Sequence, residues 1–148
     1  MMASAHDDPR RAGTVWAVDL HQPRPTPKPL VPAEFRQLGT ASVEALSQAM
    51  EASSRADILR RLNSGERCYT AWVDGQLAAY GWVSFDEEFI GELNLRLRLL
   101  PGEAYIWDCF TLLAFRRQGL YSALLAHILL DLEQDSLCRV WIGADADN

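Results

Sequence analysis

Six of the seven prolines fall within the first 32 residues, and nothing else in the chain restricts its folding as strongly. Each proline removes a backbone donor and forces its predecessor to be extended. The stretch Gln22 to Pro32, where proline alternates with polar or basic residues, can therefore be neither a helix nor a central strand. Residues 1–32 are expected to form an extended proline-rich arm, with a short edge strand at Thr14 to Leu20. A recognition ligand is one use for such a segment; its composition favours a plain tether. The remaining residues, 33–148, are one domain's worth. Apolar residues at 49% and charged residues at 23% of the whole chain suit an ordinary globular fold and exclude a coiled coil or a disordered chain.

From Ala33 onward the pattern changes. Glu34 to Leu38 reads as a short strand, and Ala41 to Met50 as a helix. A second helix, Ala56 to Leu62, stops at Asn63-Ser64-Gly65. Cys68 to Val73 and Gln76 to Phe85 are apolar, aromatic-rich runs joined by Asp74-Gly75, a strong β-hairpin signal. Both faces of these strands are apolar, so the sheet should be covered on both sides. Leu93 to Leu100 alternates in a strand-like way, Pro101-Gly102 is a turn, and Ala104 to Leu113 is a long strand. Apolar residues at Tyr121, Leu124, Leu125, Ile128 and Leu132 mark a helix over Gln118 to Gln134. Leu137 to Ile142 is a last strand. The fold class is therefore α/β, a mixed sheet flanked by helices.

The net charge of −6 argues against bulk nucleic-acid binding. No apolar run is long enough to span a bilayer, and Met1 to Arg11 lacks a signal-peptide core. Cys68, Cys109 and Cys138 show no CxxC spacing and sit among apolar neighbours, which points to reduced thiols in the cytoplasm. With one histidine in the body and no cysteine pair, no metal site is expected.

Chemistry concentrates in Phe110-Thr111-Leu112-Leu113-Ala114-Phe115-Arg116-Arg117-Gln118-Gly119-Leu120-Tyr121. A strand feeds through an arginine-bearing loop into a helix with glycine at its first turn. That combination makes an anion site: helix N–H groups point outward, the dipole adds positive potential, glycine permits close approach, and arginines supply forked donors. An ordinary helix start with solvated arginines is the competing reading.

This segment resembles the acetyl-CoA motif of the GCN5-related N-acetyltransferase family, Gln/Arg-x-x-Gly-x-Gly/Ala. Arg116 and Gly119 match, while Tyr121 replaces the small third residue. The order of elements from Glu34 to Ile142 matches that family through its fifth strand. The resemblance implies an acyl-CoA N-acyltransferase-like fold whose C-terminal part is missing, leaving the last strand as an exposed edge and inviting homo-oligomer formation. It implies acetyl-CoA as co-substrate, held by Phe110, Thr111, Leu112, Arg116, Arg117, Gln118, Gly119, Leu120 and Tyr121. The implied reaction is acetyl transfer to a small-molecule or peptide amine by direct attack in a ternary complex. Asp108 and Glu103, on or just before the fourth strand, are the candidate bases by location, with structural hydrogen bonding as the alternative role. Trp82 and Trp107 are expected in the core, with lining of the acceptor site as the alternative, and His127 is expected to be structural. Asp86, Glu87, Glu88 and Glu92 form an acidic stretch that would attract a cationic amine or simply remain solvated. A non-catalytic acyl-CoA-binding module and an inactive remnant are the rival readings.

Overall fold

The computed structural model describes residues 13–50, 53–86, 88–90 and 95–145. Strands β1 (Gly13–Asp19), β2 (Glu34–Gln37), β3 (Arg67–Val73), β4 (Gln76–Ser84), β7 (Glu103–Thr111) and β8 (Arg139–Asp145) form one six-stranded sheet in the order β1-β8-β7-β4-β3-β2. A small second sheet pairs β5 (Glu88–Ile90) with β6 (Leu95–Leu97). The single alternating strand expected at Leu93 to Leu100 is thus replaced, in its described part, by the short β6. Helices α1 (Val43–Ala49) and α2 (Arg55–Asn63) precede the β3–β4 hairpin, and α3 (Leu120–Gln134) joins β7 to β8.

Asp74 and Gly75 both take positive φ, as a tight hairpin turn that follows strand twist requires. Helix α2 begins with a capping box: Ser54 and Asp57 each accept from the other's backbone N–H. The hairpin strands present alternate residues to two apolar layers. Tyr69, Ala71, Ala79 and Val83 pack with Leu124, Ile128 and Leu132 of α3. Cys68, Trp72, Tyr80 and Trp82 pack with Val43, Leu46 and Ile58 of α1 and α2. The sheet is covered on both faces, as its two-sided apolar pattern required.

The arm departs from expectation. All seven residues of β1 pair antiparallel with β8, so the strand expected to be an open edge has partners on both sides. Leu20 is fully buried in the core, and its N–H donates to the Cys138 carbonyl (2.9 Å). The core therefore begins before residue 33. Between β1 and β2 the proline-rich segment is tied down at two points. Arg24 pairs with Glu133 of α3 (2.6 Å), and Leu30 N–H donates to the Gln118 carbonyl (2.8 Å). A proline-rich stretch makes few ladder bonds of its own, so these contacts with α3 and the loop before it fix its path.

Candidate functional site

Strands β7 and β8 are parallel neighbours only from Glu103↔Arg139 to Ile106↔Ile142. Beyond that point β7 continues alongside β4 through Phe110 and Thr111, while β8 continues alongside β1. These two neighbouring strands thus part company, and the far half of β7 has a strand neighbour on one side only. An extended chain of suitable length could pair there as an added strand.

A bulge sits where the strands separate. The β4–β7 register shifts between Tyr80 and Trp82, and Asp108 opposite takes a left-handed φ of +48°. Gly81 faces Cys109: a Cβ at Gly81 would lie 2.9 Å from the Cys109 sulfur. The Cys109 thiol donates to the Trp107 carbonyl (3.6 Å). Burial pushes the Cys109 thiol up to about 12 and raises Cys68 further, so neither offers a thiolate nucleophile near neutral pH.

The strand leads into a loop and then α3. Leu112 N–H is already spent on the Ala78 carbonyl (2.8 Å), and residues 113–115 form one 3-10 turn. Arg116 Nε donates to the Thr111 carbonyl (3.1 Å), with its guanidinium 5.2 Å from the Phe110 ring centre. Gly119 caps α3 with φ +71° and no side-chain hydrogen bond, and no carboxylate lies in the first turn. The leading N–H groups of α3 are thus uncapped, next to Arg116 and Arg117, neither of which pairs with a carboxylate among the described residues. Helix N–H groups and arginines are the donors that an anion requires.

The expected ligand residues divide. Phe110 and Tyr121 are substantially exposed at 41% and 39%, and Arg116 and Arg117 are exposed, so these can reach a ligand. Burial raises the Tyr121 hydroxyl above its ordinary range, so it stays protonated and can donate. The Leu120 side chain is buried with Val73 and Ala78, leaving only its backbone to contribute. The Leu112 N–H is committed elsewhere, and Thr111 offers Arg116 its carbonyl. The Gln118 side-chain oxygen is buried without a hydrogen bond, while its carbonyl binds the arm. Gly119 has a neighbour that the sequence did not show. Its missing side chain faces Lys28, Pro29 and Leu30 of the arm at 3.6–3.7 Å, so it accommodates the chain's own N-terminal segment.

The two candidate carboxylates part as well. Glu103 is buried at the closed end of the β7–β8 pair, accepting from Leu100 N–H (3.1 Å) and Trp141 Nε1 (3.3 Å) near Arg139. Five residues of extended strand, roughly 16 Å, separate it from Asp108. Asp108 stands at the bulge and accepts from Arg61 of α2 (2.8 Å), which sequence reading missed because the partners are distant in the chain. Trp82 and Trp107 lie under the Arg61 guanidinium, and His127 stacks on Phe35, both consistent with packing roles. Within the acidic stretch, Glu87 and Glu92 lie outside the described residues.

A family model, Acetyltransferase (GNAT) family, matches residues 32–148. The chain belongs to the GNAT acetyltransferase family. Solved structures share the GNAT fold at low identity. A GCN5-related N-acetyltransferase from Sphaerobacter thermophilus is 18% identical with a TM-score of 0.67, over 92% of this chain and 43% of that one. The ribosomal-protein-S18-alanine N-acetyltransferase of Escherichia coli is 17% identical with a TM-score of 0.57, over 74% of this chain and 65% of that one. An aminoglycoside 6'-N-acetyltransferase from Acinetobacter haemolyticus is 18% identical with a TM-score of 0.57, over 78% and 81%. This GNAT chain spans less than two thirds of the length of the first two. No curated protein matches it. Among the described residues no group of side chains could hold a metal ion, and no helix is long and apolar enough to cross a membrane.

Proposed function

We propose that this GNAT protein transfers an acetyl group from acetyl-CoA to an amine, and that the transfer occurs at the parting of β7 and β8. The observation that carries the reading is the conjunction of that parting with the uncapped α3 N-terminus a few residues downstream. The residues fit the cofactor's chemistry. Helix N–H groups with Arg116 and Arg117 suit a pyrophosphate, and the one-sided edge of β7 suits an extended pantetheine arm.

Acetyl-CoA would supply an activated acetyl thioester at the bulge. There, backbone N–H groups of β7 would bind the thioester oxygen, and the surrounding strands would fix its position. Asp108, rather than Glu103, would receive the amine's proton through a bridging water: Arg61 occupies one lone pair of a carboxylate that has about four. Cys68 and Cys109 are protonated at working pH, which favours direct transfer over an acetyl-cysteine route. Three free cysteines suit a reducing, cytoplasmic setting. The exposed faces of Phe110 and Tyr121 would line the site on the way to a small-molecule or peptide amine.

Calorimetry with CoA and acetyl-CoA, followed by thiol release in the presence of an amine panel, tests the proposal. Similar binding of both cofactors and amine-dependent thiol release are expected. Binding without release from any amine would support the non-catalytic acyl-CoA-binding reading, and no binding would overturn both.

A further inference from the structure

Arg61 lies on α2, outside the cofactor motif, yet its guanidinium touches three residues around the β7 bulge. It donates to Asp108 Oδ2 at 2.8 Å. It also stacks over the Trp107 ring at 4.5 Å and the Trp82 ring at 4.8 Å, one on β7 and the other across the bulge on β4. The Arg61 side chain is 21% exposed and Trp82 is fully buried, so the cation is drawn well into the protein. A planar guanidinium can stack on aromatic faces while its edge bonds a carboxylate, which an ammonium cannot reproduce. Of the three residues it touches, Asp108 alone is in left-handed backbone, a conformation that costs a residue with a Cβ free energy and that surrounding contacts offset. The capping box at Ser54 and Asp57 fixes the start of the helix that delivers it.

We infer that Arg61 is a positioning residue for the acyl end of the site: it holds the Asp108 bulge in the shape that presents backbone N–H groups to the thioester oxygen. This rests on the proposed acetyl-CoA site. It adds that the α1–α2 face sets acyl geometry, whereas the α3 loop sets cofactor affinity.

Infrared difference spectroscopy with acetyl-CoA carrying a ¹³C carbonyl reads that geometry without an acceptor. In the wild-type protein the bound carbonyl band should lie at lower wavenumber than in free acetyl-CoA, because a hydrogen bond weakens the C=O bond. Arg61→Ala should bind CoA within about twofold of wild type yet return the band to its free position. Arg61→Lys should recover only part of the displacement. Where Arg61→Ala fails to fold, Arg61→Gln and Asp108→Asn give the same reading, each keeping a planar group but breaking the charged contact. A band displaced equally in wild type and variants overturns the inference, as does loss of CoA binding in parallel with the band, which would mark Arg61 as general packing. An undisplaced wild-type band with CoA bound also overturns it while leaving the cofactor site standing. Failure of the wild-type protein to bind CoA overturns the site itself.

Discussion

A φ of +71° restricts Gly119, while the arm backbone lies at an ordinary contact distance, 3.6–3.7 Å, from its missing Cβ. Alanine meets ordinary contact distances but not the backbone conformation, so Gly119→Ala should cost about 1–2 kcal/mol of stability. Gly119→Val should cost more, through χ1 crowding against the arm. Urea unfolding of both variants checks the order; equal stability of wild type and valine would contradict it. Gly81 is restricted by space instead of conformation, since the Cys109 sulfur lies 2.9 Å from any added Cβ. Gly81→Ala should lose about 1–3 kcal/mol, and much of that loss should disappear when Cys109→Ala is combined with it. A double-mutant cycle that is additive would refute the pairing. Glycine's importance at 119 was legible in the sequence. The arm packed against it was not, because Lys28 to Leu30 reach it only through the tertiary fold.

Among the elements, the arm between β1 and β2 carries the clearest prediction. Removing its ion pair with Glu133 through Arg24→Ala should speed proteolytic cleavage between Gln22 and Leu30. Global stability should change by no more than about 1 kcal/mol, since the pair is partly exposed. Peptide mapping of timed digests measures the first; an unchanged cleavage rate would show that the Leu30 contact alone secures the segment. The β3–β4 hairpin, α2, α3 and β7 were readable because Asp74-Gly75, helix stops and apolar periods are local signals. The partner of β8 was not. Edge pairing depends on which distant strand arrives, and the proline run suggested separation from the core. The bulge at Asp108 was equally hidden, since its register shift arises between β4 and β7, not within either.

Across the whole molecule, buried acids of the weak kind set an alkaline limit. Burial raises Cys68, Cys109, Tyr69 and Tyr80 above their ordinary values, with Cys109 and Tyr80 each at about 12. In the unfolded chain the thiols ionise near 9.0 and the phenols near 10.0, whereas the folded protein resists ionising them. The stabilising contribution is therefore complete below those values, and it is lost as pH climbs from about 9 toward 12. Thermal midpoints should fall across that window, and Cys109→Ala should flatten part of the decline; a flat profile for the wild type would contradict the assignment. The pairing of β1 with β8 has a consequence for synthesis. Strand β1 leaves the ribosome well before β8, its hydrogen-bonding partner, so it waits unpaired while every described element between them is made. Non-local pairing of this kind slows folding, and release or pausing before β8 is made would leave an adhesive strand uncovered.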